Sequence, residues 1–273
     1  MLYKKTGRNV IAYYSGWLQK QTLESGISDL DQNSFMTTIH NLDKAKGLDL
    51  ILHTPGGNIA ATEAIVCYLK NIFKNNIRVI VPHLAMSAGT MIACSSKEII
   101  MGKHSSLGPT DPQFGNLSAS AILEEFETAK KEVANDPKTI PLWQMIISKY
   151  NPTFLGECDK ACRWAEKIVE SWLEDNMFYG EKDANQKSKT IAGLLGDHKK
   201  SKNHSKHFSK DELSAMGLKI YSLESDTELQ DLVLTVHHAF MHTFAKSTAI
   251  KIVENHIGIK IVSANRTSTM QKV

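Results

Sequence analysis

Two short segments carry residues that could perform acyl transfer. In "AMSAGT", Ser87 stands among small residues between an apolar run and a run typical of a helix. A serine at such a turn can be raised clear of a sheet as a nucleophile, and the helix after it offers unpaired N–H groups to a developing oxyanion. The alternative is that Ser87 is only the N-cap of that helix, which is the commoner role of such a serine.

The second segment, "HTPGGN", could complete the same site. Gly56 and Gly57 follow a neighbouring apolar run, so their turn is expected at the same sheet edge as Ser87. A glycine N–H can point at an oxyanion with no side chain in the way. The alternative is a plain strand-to-helix turn. Phosphate binding is disfavoured, because neither GxGxxG nor GxxxxGK[ST] occurs in the chain.

The hydrophobic pattern predicts the elements that would position these turns. The predicted strands cover 8–17, 48–54, 77–83 and 97–102. The predicted helices between them cover 30–46, 58–73 and 87–96. This alternation with short turns indicates an α/β fold of repeated βαβ units around a parallel sheet.

The second half of the chain is predicted to be mainly helical. The predicted helices cover 118–136, 141–152, 158–178 and 227–247, and 210–223 reads as a short helix, a glycine stop and a strand. Residues 196–210 are polar, basic and histidine-rich, which is typical of an exposed loop. We therefore predict one domain over 1–273, made of a core 8–135, a helical and basic-loop region 136–210, C-terminal helices 211–263 and a frayed tail 264–273.

Composition excludes several classes of protein. A net charge of +3 on 273 residues does not by itself favour nucleic acid as a partner. Cys158 and Cys162 could share a helix face, but no second Cys or His pair at zinc spacing accompanies them, so we expect reduced thiols and no metal or cofactor. With no apolar run of about 18 residues and no signal-peptide core, we expect no membrane span and a cytoplasmic location.

The pair "HTPGGNIAATEAI" and "AMSAGTMIACSSKEIIMGKHSSLGPTDPQ" resembles the Clp-protease-like serine peptidases. The resemblance is greatest to the serine dehydrogenase proteinases, relatives of signal peptide peptidase A. It is strongest over 48–115, and "LTVHHAFMHTFAKSTAIKIVENHIG" extends it more weakly. It implies a Clp/crotonase-like fold and a serine endopeptidase that acts on peptides or unfolded protein segments as a homo-oligomer. It also implies Ser87 as nucleophile and the N–H groups of Gly57 and Ala88 as the oxyanion hole.

The resemblance leaves the base open. Aligned on the proline, "SSLGPTDPQ" puts Thr110 where Clp protease has its histidine, so a triad of that type is not supported. The membrane-associated relatives use a Ser–Lys dyad with the lysine on a later helix, which implies Lys130 here, with Lys131 as the alternative. A lysine acts as a base only when burial lowers its pKa. Otherwise both lysines are ordinary solvated helix residues.

The histidines near the turns are further candidates for the base. Both His53 and His83 end strands beside the site, and His104 lies in the following loop, although a structural hydrogen bond is the commoner role for such residues. At i, i+4 spacing, His238 and His242 could pair on a metal, but no Glu follows the first, so we expect them to be buried or at an interface.

Two other functions share this fold. A crotonase-type acyl-CoA enzyme would use carboxylates, for which Glu63 and Asp111 are available, but it has no use for a serine at the turn. Asp111 lies between two prolines and is more readily a loop-shaping residue. The other possibility is a non-catalytic scaffold or binding protein, which a reactive Ser87 would exclude.

Overall fold

The computed structural model describes residues 1–20, 22–115, 117–197 and 205–264. Its strands are β1 (Asn9–Ser15), β2 (Leu48–His53), β3 (Ile77–Val81), β4 (Leu84–Ala85), β5 (Glu98–Met101), β6 (Ser106–Leu107), β7 (Gln113–Phe114), β8 (Leu117–Ser118), β9 (Phe208–Ser209), β10 (Ile220–Ser222), β11 (Ala249–Asn255) and β12 (Lys260–Ala264). Its helices are α1 (Leu2–Thr6), α2 (Asp29–Ile39), α3 (Ile59–Phe73), α4 (Ala88–Cys94), α5 (Ala119–Asn135), α6 (Ile140–Ile147), α7 (Phe154–Trp172), α8 (Ala184–Gly196), α9 (Lys210–Met216) and α10 (Thr227–Lys246).

A seven-stranded sheet in the order β10-β5-β3-β2-β1-β11-β12 forms the centre of the fold. Neighbouring strands from β10 to β1 are parallel, and β11 and β12 continue the sheet antiparallel. Helices cover both faces, with α2, α3, α4, α7 and α8 on one side and α1 and α10 on the other. The predicted α/β fold with a mostly parallel sheet is therefore confirmed.

Strand β2 illustrates why the centre is so apolar. Every residue of "LDLILH" is buried, as expected for a parallel strand that is covered on both faces. Because side chains alternate along a strand, Leu50 and Leu52 pack on the side of α3 while Ile51 packs on the side of α10. The strand ends at His53, so the glycine turn after it lies at the carboxyl edge of the sheet.

The helix predicted over 30–46 is too long. Helix α2 ends at Ile39, and a separate 3₁₀ turn follows at Lys44–Lys46. The side chain of Asp43 accepts a hydrogen bond from the Ala45 N–H, and this local bond competes with a continued helix. Leu30, which the spacing places on the apolar face, is 75% exposed.

The prediction of C-terminal helices over 211–263 is wrong in its last part. Helix α10 ends at Lys246, and β11 and β12 follow it as a hairpin whose turn contains Gly258 at φ 90°. The β-branched run "AIKIV" favours a strand, and Gly258 permits the tight turn. Of the predicted basic loop and frayed tail, 198–204 and 265–273 lie outside the described residues. No helix in the described ranges is long and apolar enough to cross a membrane.

Candidate active site

Ser87 occupies a strained turn between β4 and α4. Its backbone has φ 52° and ψ −115°, a conformation that costs a residue other than glycine about 1–3 kcal/mol. The side chain is half-buried and does not cap an N–H of α4. Ser87 is thus the N-cap residue of α4 by position, but its hydroxyl makes no capping hydrogen bond.

Backbone hydrogen bonds attach the glycine turn to the serine turn. The Thr54 N–H donates to the Leu84 carbonyl at 3.1 Å, and the Met86 N–H donates to the Thr54 carbonyl at 3.0 Å. Behind them, the Thr90 hydroxyl accepts a hydrogen bond from the Gly108 N–H at 2.9 Å. The two turns and the loop around Gly108 are thus held in one register.

Glycine is required where the two turns approach each other. A Cβ on Gly56 would lie 2.7 Å from the Ser87 Cβ, and one on Gly57 would lie 2.2 Å from the Ile27 nitrogen. Both glycines have positive φ, at 99° and 154°. The Ile27 N–H donates to the Gly56 carbonyl at 2.8 Å and the Asn58 N–H donates to the Ile27 carbonyl at 2.9 Å, so this segment continues the sheet beside the turn.

Two backbone N–H groups remain available beside Ser87. In the described part of the chain, neither the Gly57 N–H nor the Ala88 N–H donates to a protein acceptor, whereas the Gly56 N–H donates to the Thr54 hydroxyl at 3.2 Å. Ala88 is also the first residue of α4, where the helix dipole favours negative charge. These are the donors that stabilisation of an oxyanion needs.

A cavity of about 790 Å³ opens over Ser87. Its lining includes Gly26, Gly57, Phe114 and Trp164. No charged side chain of the described residues lines it. A cavity of this size can hold several residues of an extended chain, and its polar contacts come from backbone and uncharged groups.

The proposed base does not lie in this cavity. Lys130, on α5, is 70% exposed, and its Nζ lies 2.6 Å from the Glu127 carboxylate. That ammonium group lowers the pKa of Glu127. Lys131 is exposed as well. Thr110, in contrast, lines the cavity.

His53 and His83 form a cluster with His237 behind the glycine turn, outside the Ser87 cavity. The ring of His53 is fully buried, and its Nδ1 accepts a hydrogen bond from the Leu84 N–H at 3.4 Å. Burial, with His237 and His83 nearby, lowers the pKa of His53 to about 2. Burial also lowers the pKa of His237 to about 4. These imidazoles are therefore neutral at ordinary pH.

The expectation that His238 and His242 of α10 are buried is wrong within the chain, and an interface role for them stays a prediction. His238 and His242 are both exposed, whereas His237 is buried. The spacing of His237 with Val233 and Phe240 follows the helical period of the buried face, and this pattern could have identified it.

The other polar candidates have structural contacts. The His104 ring packs against Gly102, where a Cβ would lie 2.7 Å from its Cε1. The buried Asp111 accepts a hydrogen bond from the Gln113 amide at 3.1 Å, in agreement with a loop-shaping role. Neither Asp111 nor Glu63 lines the Ser87 cavity, so a crotonase-type acid or base receives no support here.

The fold and the paired turns define a Clp-like α/β protein. A family model described as ClpP-like SDH-type serine proteinase matches residues 26–222, and the chain belongs to that family. Two uncharacterized proteins of Methanocaldococcus jannaschii are similar to it. One is 34% identical over 168 residues, which are 62% of this chain and 52% of the relative. The other is 35% identical over 161 residues, which are 59% of this chain and 51% of the relative. The chain thus spans about half the length of these curated relatives.

Proposed function

We propose that the chain is a serine endopeptidase that hydrolyses peptides or unfolded protein segments. The observation that carries the proposal is the strained turn of Ser87, packed against Gly56 and open to a large cavity. In this mechanism the Ser87 Oγ attacks the scissile carbonyl while the base takes its proton, the C–N bond breaks and the amine leaves with that proton, and water then hydrolyses the acyl-enzyme and restores the Ser87 hydroxyl. The Gly57 and Ala88 N–H groups stabilise the oxyanion of each tetrahedral intermediate.

The cavity supports an extended peptide as substrate. Ser25, Gly26 and the strand β7 all line it, so a substrate strand can hydrogen-bond to backbone as an added strand. Since the described lining carries no charge, we expect little preference for charged side chains next to the scissile bond.

Lys130 is the proposed base, and its exposed position sets a condition on that role. Its ammonium must leave Glu127 and become buried beside Ser87, because a lysine loses its proton near neutral pH only when desolvated. Helix α5 would have to give up contacts in such a movement, among them the hydrogen bonds that its Glu125 and Glu132 accept from Tyr150 and Trp143 at 2.9 Å. Its buried residues are Ala119, Ile122 and Ala129.

Intact-mass measurement after treatment with a fluorophosphonate probe at pH 8 tests the nucleophile and the base together. Wild type is expected to gain one adduct, as the serine oxygen displaces fluoride from phosphorus, and Ser87→Ala is expected to gain none. Lys130→Ala should slow labelling about 100-fold, the usual contribution of a general base. Lys131→Ala is the matched variant, one residue further along the same exposed helix.

Each outcome of this experiment is informative. No adduct on folded wild type would replace the peptidase proposal with the non-catalytic scaffold. Equal labelling of wild type and both lysine variants would refute the dyad and leave Ser87 as the nucleophile. Slow labelling of Lys131→Ala alone would move the base to Lys131.

We further propose that the chain assembles into a cytoplasmic homo-oligomer. Helix α6 supports assembly, because it has no buried residue and exposes Ile140, Leu142 and Met145. Apolar groups exposed in this number are typical of a contact surface. A monomeric mass by light scattering at micromolar concentration would contradict this proposal.

A further inference from the structure

His53 joins the two turns of the candidate site through its side chain. It is the last residue of β2 and immediately precedes Thr54, which begins the glycine turn. Its Nδ1 accepts a hydrogen bond from the Leu84 N–H, while the Leu84 carbonyl accepts one from the Thr54 N–H. Leu84 in turn begins β4, which ends at Ala85, two residues before Ser87.

Rings on several elements fix the orientation of the His53 imidazole. Its centroid lies 4.3 Å from that of Trp17 and 5.5 Å from that of Tyr14. The rings of His83 and His237 lie at 5.6 and 5.3 Å. Packed in this way, the imidazole has little freedom to turn away from Leu84.

The hydrogen bond requires the neutral form of His53. Because Nδ1 accepts from Leu84, the ring hydrogen must be on Nε2, which is buried and has no partner among the described residues. The titratable groups that face the ring are Tyr14, His83 and His237, with His104, His207 and His238 behind them. Those groups are phenol and imidazoles, so none supplies a negative charge to an imidazolium at neutral pH.

We propose that neutral His53 is a positioning residue that keeps the glycine turn in register with Ser87. The proposal rests on the proposed function, since it presumes that Ser87 is the nucleophile. The two turns have little room to shift relative to each other, because the Gly56 backbone packs directly against Ser87 and a Cβ on Gly56 would clash. Small displacements of reacting groups reduce rates strongly.

Two variants separate hydrogen bonding from packing. His53→Asn retains an acceptor near the position of Nδ1 but removes the ring, whereas His53→Phe retains the ring but removes the acceptor. Labelling by a fluorophosphonate probe should show a maximal rate at least about tenfold lower in His53→Phe, with an unchanged probe affinity. His53→Asn should label within about threefold of wild type. A packing role predicts the opposite order of the two variants, and that order would overturn the proposal.

Labelling of the wild type tests the proposed function, and the comparison with His53→Phe tests the positioning role separately. Wild type that is never labelled defeats the proposed function itself, whereas labelled wild type with an equally fast His53→Phe defeats the positioning role alone. Long-range ¹H–¹⁵N NMR of the wild-type chain should show His53 as the neutral Nε2–H tautomer from pH 5 to 8. Observation of the Nδ1–H tautomer or of an imidazolium at pH 7 would overturn the proposal even if the variants fail to fold.

Discussion

Gly56 and Ser87 meet where the two turns touch, and this contact sets the tolerance of the site. A Cβ on Gly56 would lie 2.7 Å from the Ser87 Cβ and 2.8 Å from the Met86 carbonyl oxygen. We expect Gly56→Ala to lower the rate of Ser87 labelling at least about tenfold, because the glycine turn must move away from the serine turn. Time-resolved intact mass with the fluorophosphonate probe measures this rate.

Gly258 provides a matched control for backbone strain. Its φ of 90° is close to the 99° of Gly56, but a Cβ there would meet no atom within 4 Å. Gly258→Ala should cost about 1 kcal/mol of unfolding free energy, from strain alone, and leave labelling unchanged. If the two alanine variants label equally fast, contact between the turns does not limit the site.

The turn of Ser87 could be predicted from the residue types around it. The surroundings of Lys130 could not be predicted from the sequence in this way. Gly56, Gly57 and Ser87 lie within short strand-to-helix segments, so local pattern alone places them at one sheet edge. The position of Lys130 depends on how α5 packs after the loop around Thr110, and sequence spacing does not encode that packing. The sequence could therefore predict the candidate nucleophile and the candidate oxyanion donors, whereas the position of Lys130 outside the Ser87 cavity could not be foreseen.

Strand β11, which the sequence pattern predicted as helix, supports the glycine turn indirectly, through Lys251. Lys251 donates to the Asp31 carboxylate at 2.7 Å and to the Gly26 carbonyl at 2.6 Å, and the side chains of both ions are about 95% buried or more. Ile27, the residue after Gly26, pairs with Gly57. The β-branched residues of "AIKIV" favour a strand, but a run this short does not settle the choice against a buried helix, and its pairing with β1 joins residues more than 200 positions apart.

Removal of Lys251 should therefore destabilise the molecule. Lys251→Met leaves the Asp31 carboxylate buried without its cation, which we expect to cost about 3 kcal/mol of unfolding free energy in urea titrations. Lys260→Met, on the exposed strand β12, should stay within about 0.5 kcal/mol of wild type. A Lys251→Met variant as stable as the Lys260→Met control would mean that this ion pair does not hold β11 against α2.

At the scale of the whole molecule, the face of the sheet covered by α10 should make the fold sensitive to acid. His53 and His237 are buried there, with pKa values lowered from 6.5 to about 2 and about 4. Below pH 6.5 the unfolded chain binds protons at these histidines that the folded chain does not bind. Their contribution to the free energy of unfolding is therefore fully present above that pH and declines as the pH falls. For His237 the decline continues to about pH 4, and for His53 to about pH 2. Each contributes about 1.4 kcal/mol per pH unit within its window.

His237→Phe removes the imidazole that binds a proton in the unfolded chain but not in the folded one, and the phenyl ring fills a similar volume. Urea unfolding between pH 4.5 and 6 is expected to give a pH slope shallower by about 1.4 kcal/mol per unit than in wild type, with no difference in slope between pH 7 and 8. His242→Gln, on the exposed side of the same helix, serves as the control and should leave the slope unchanged. An unaltered slope in His237→Phe would show that the buried imidazole accepts its proton in the folded chain. The cluster behind the glycine turn would then admit a charge that its apolar and aromatic surroundings are expected to exclude.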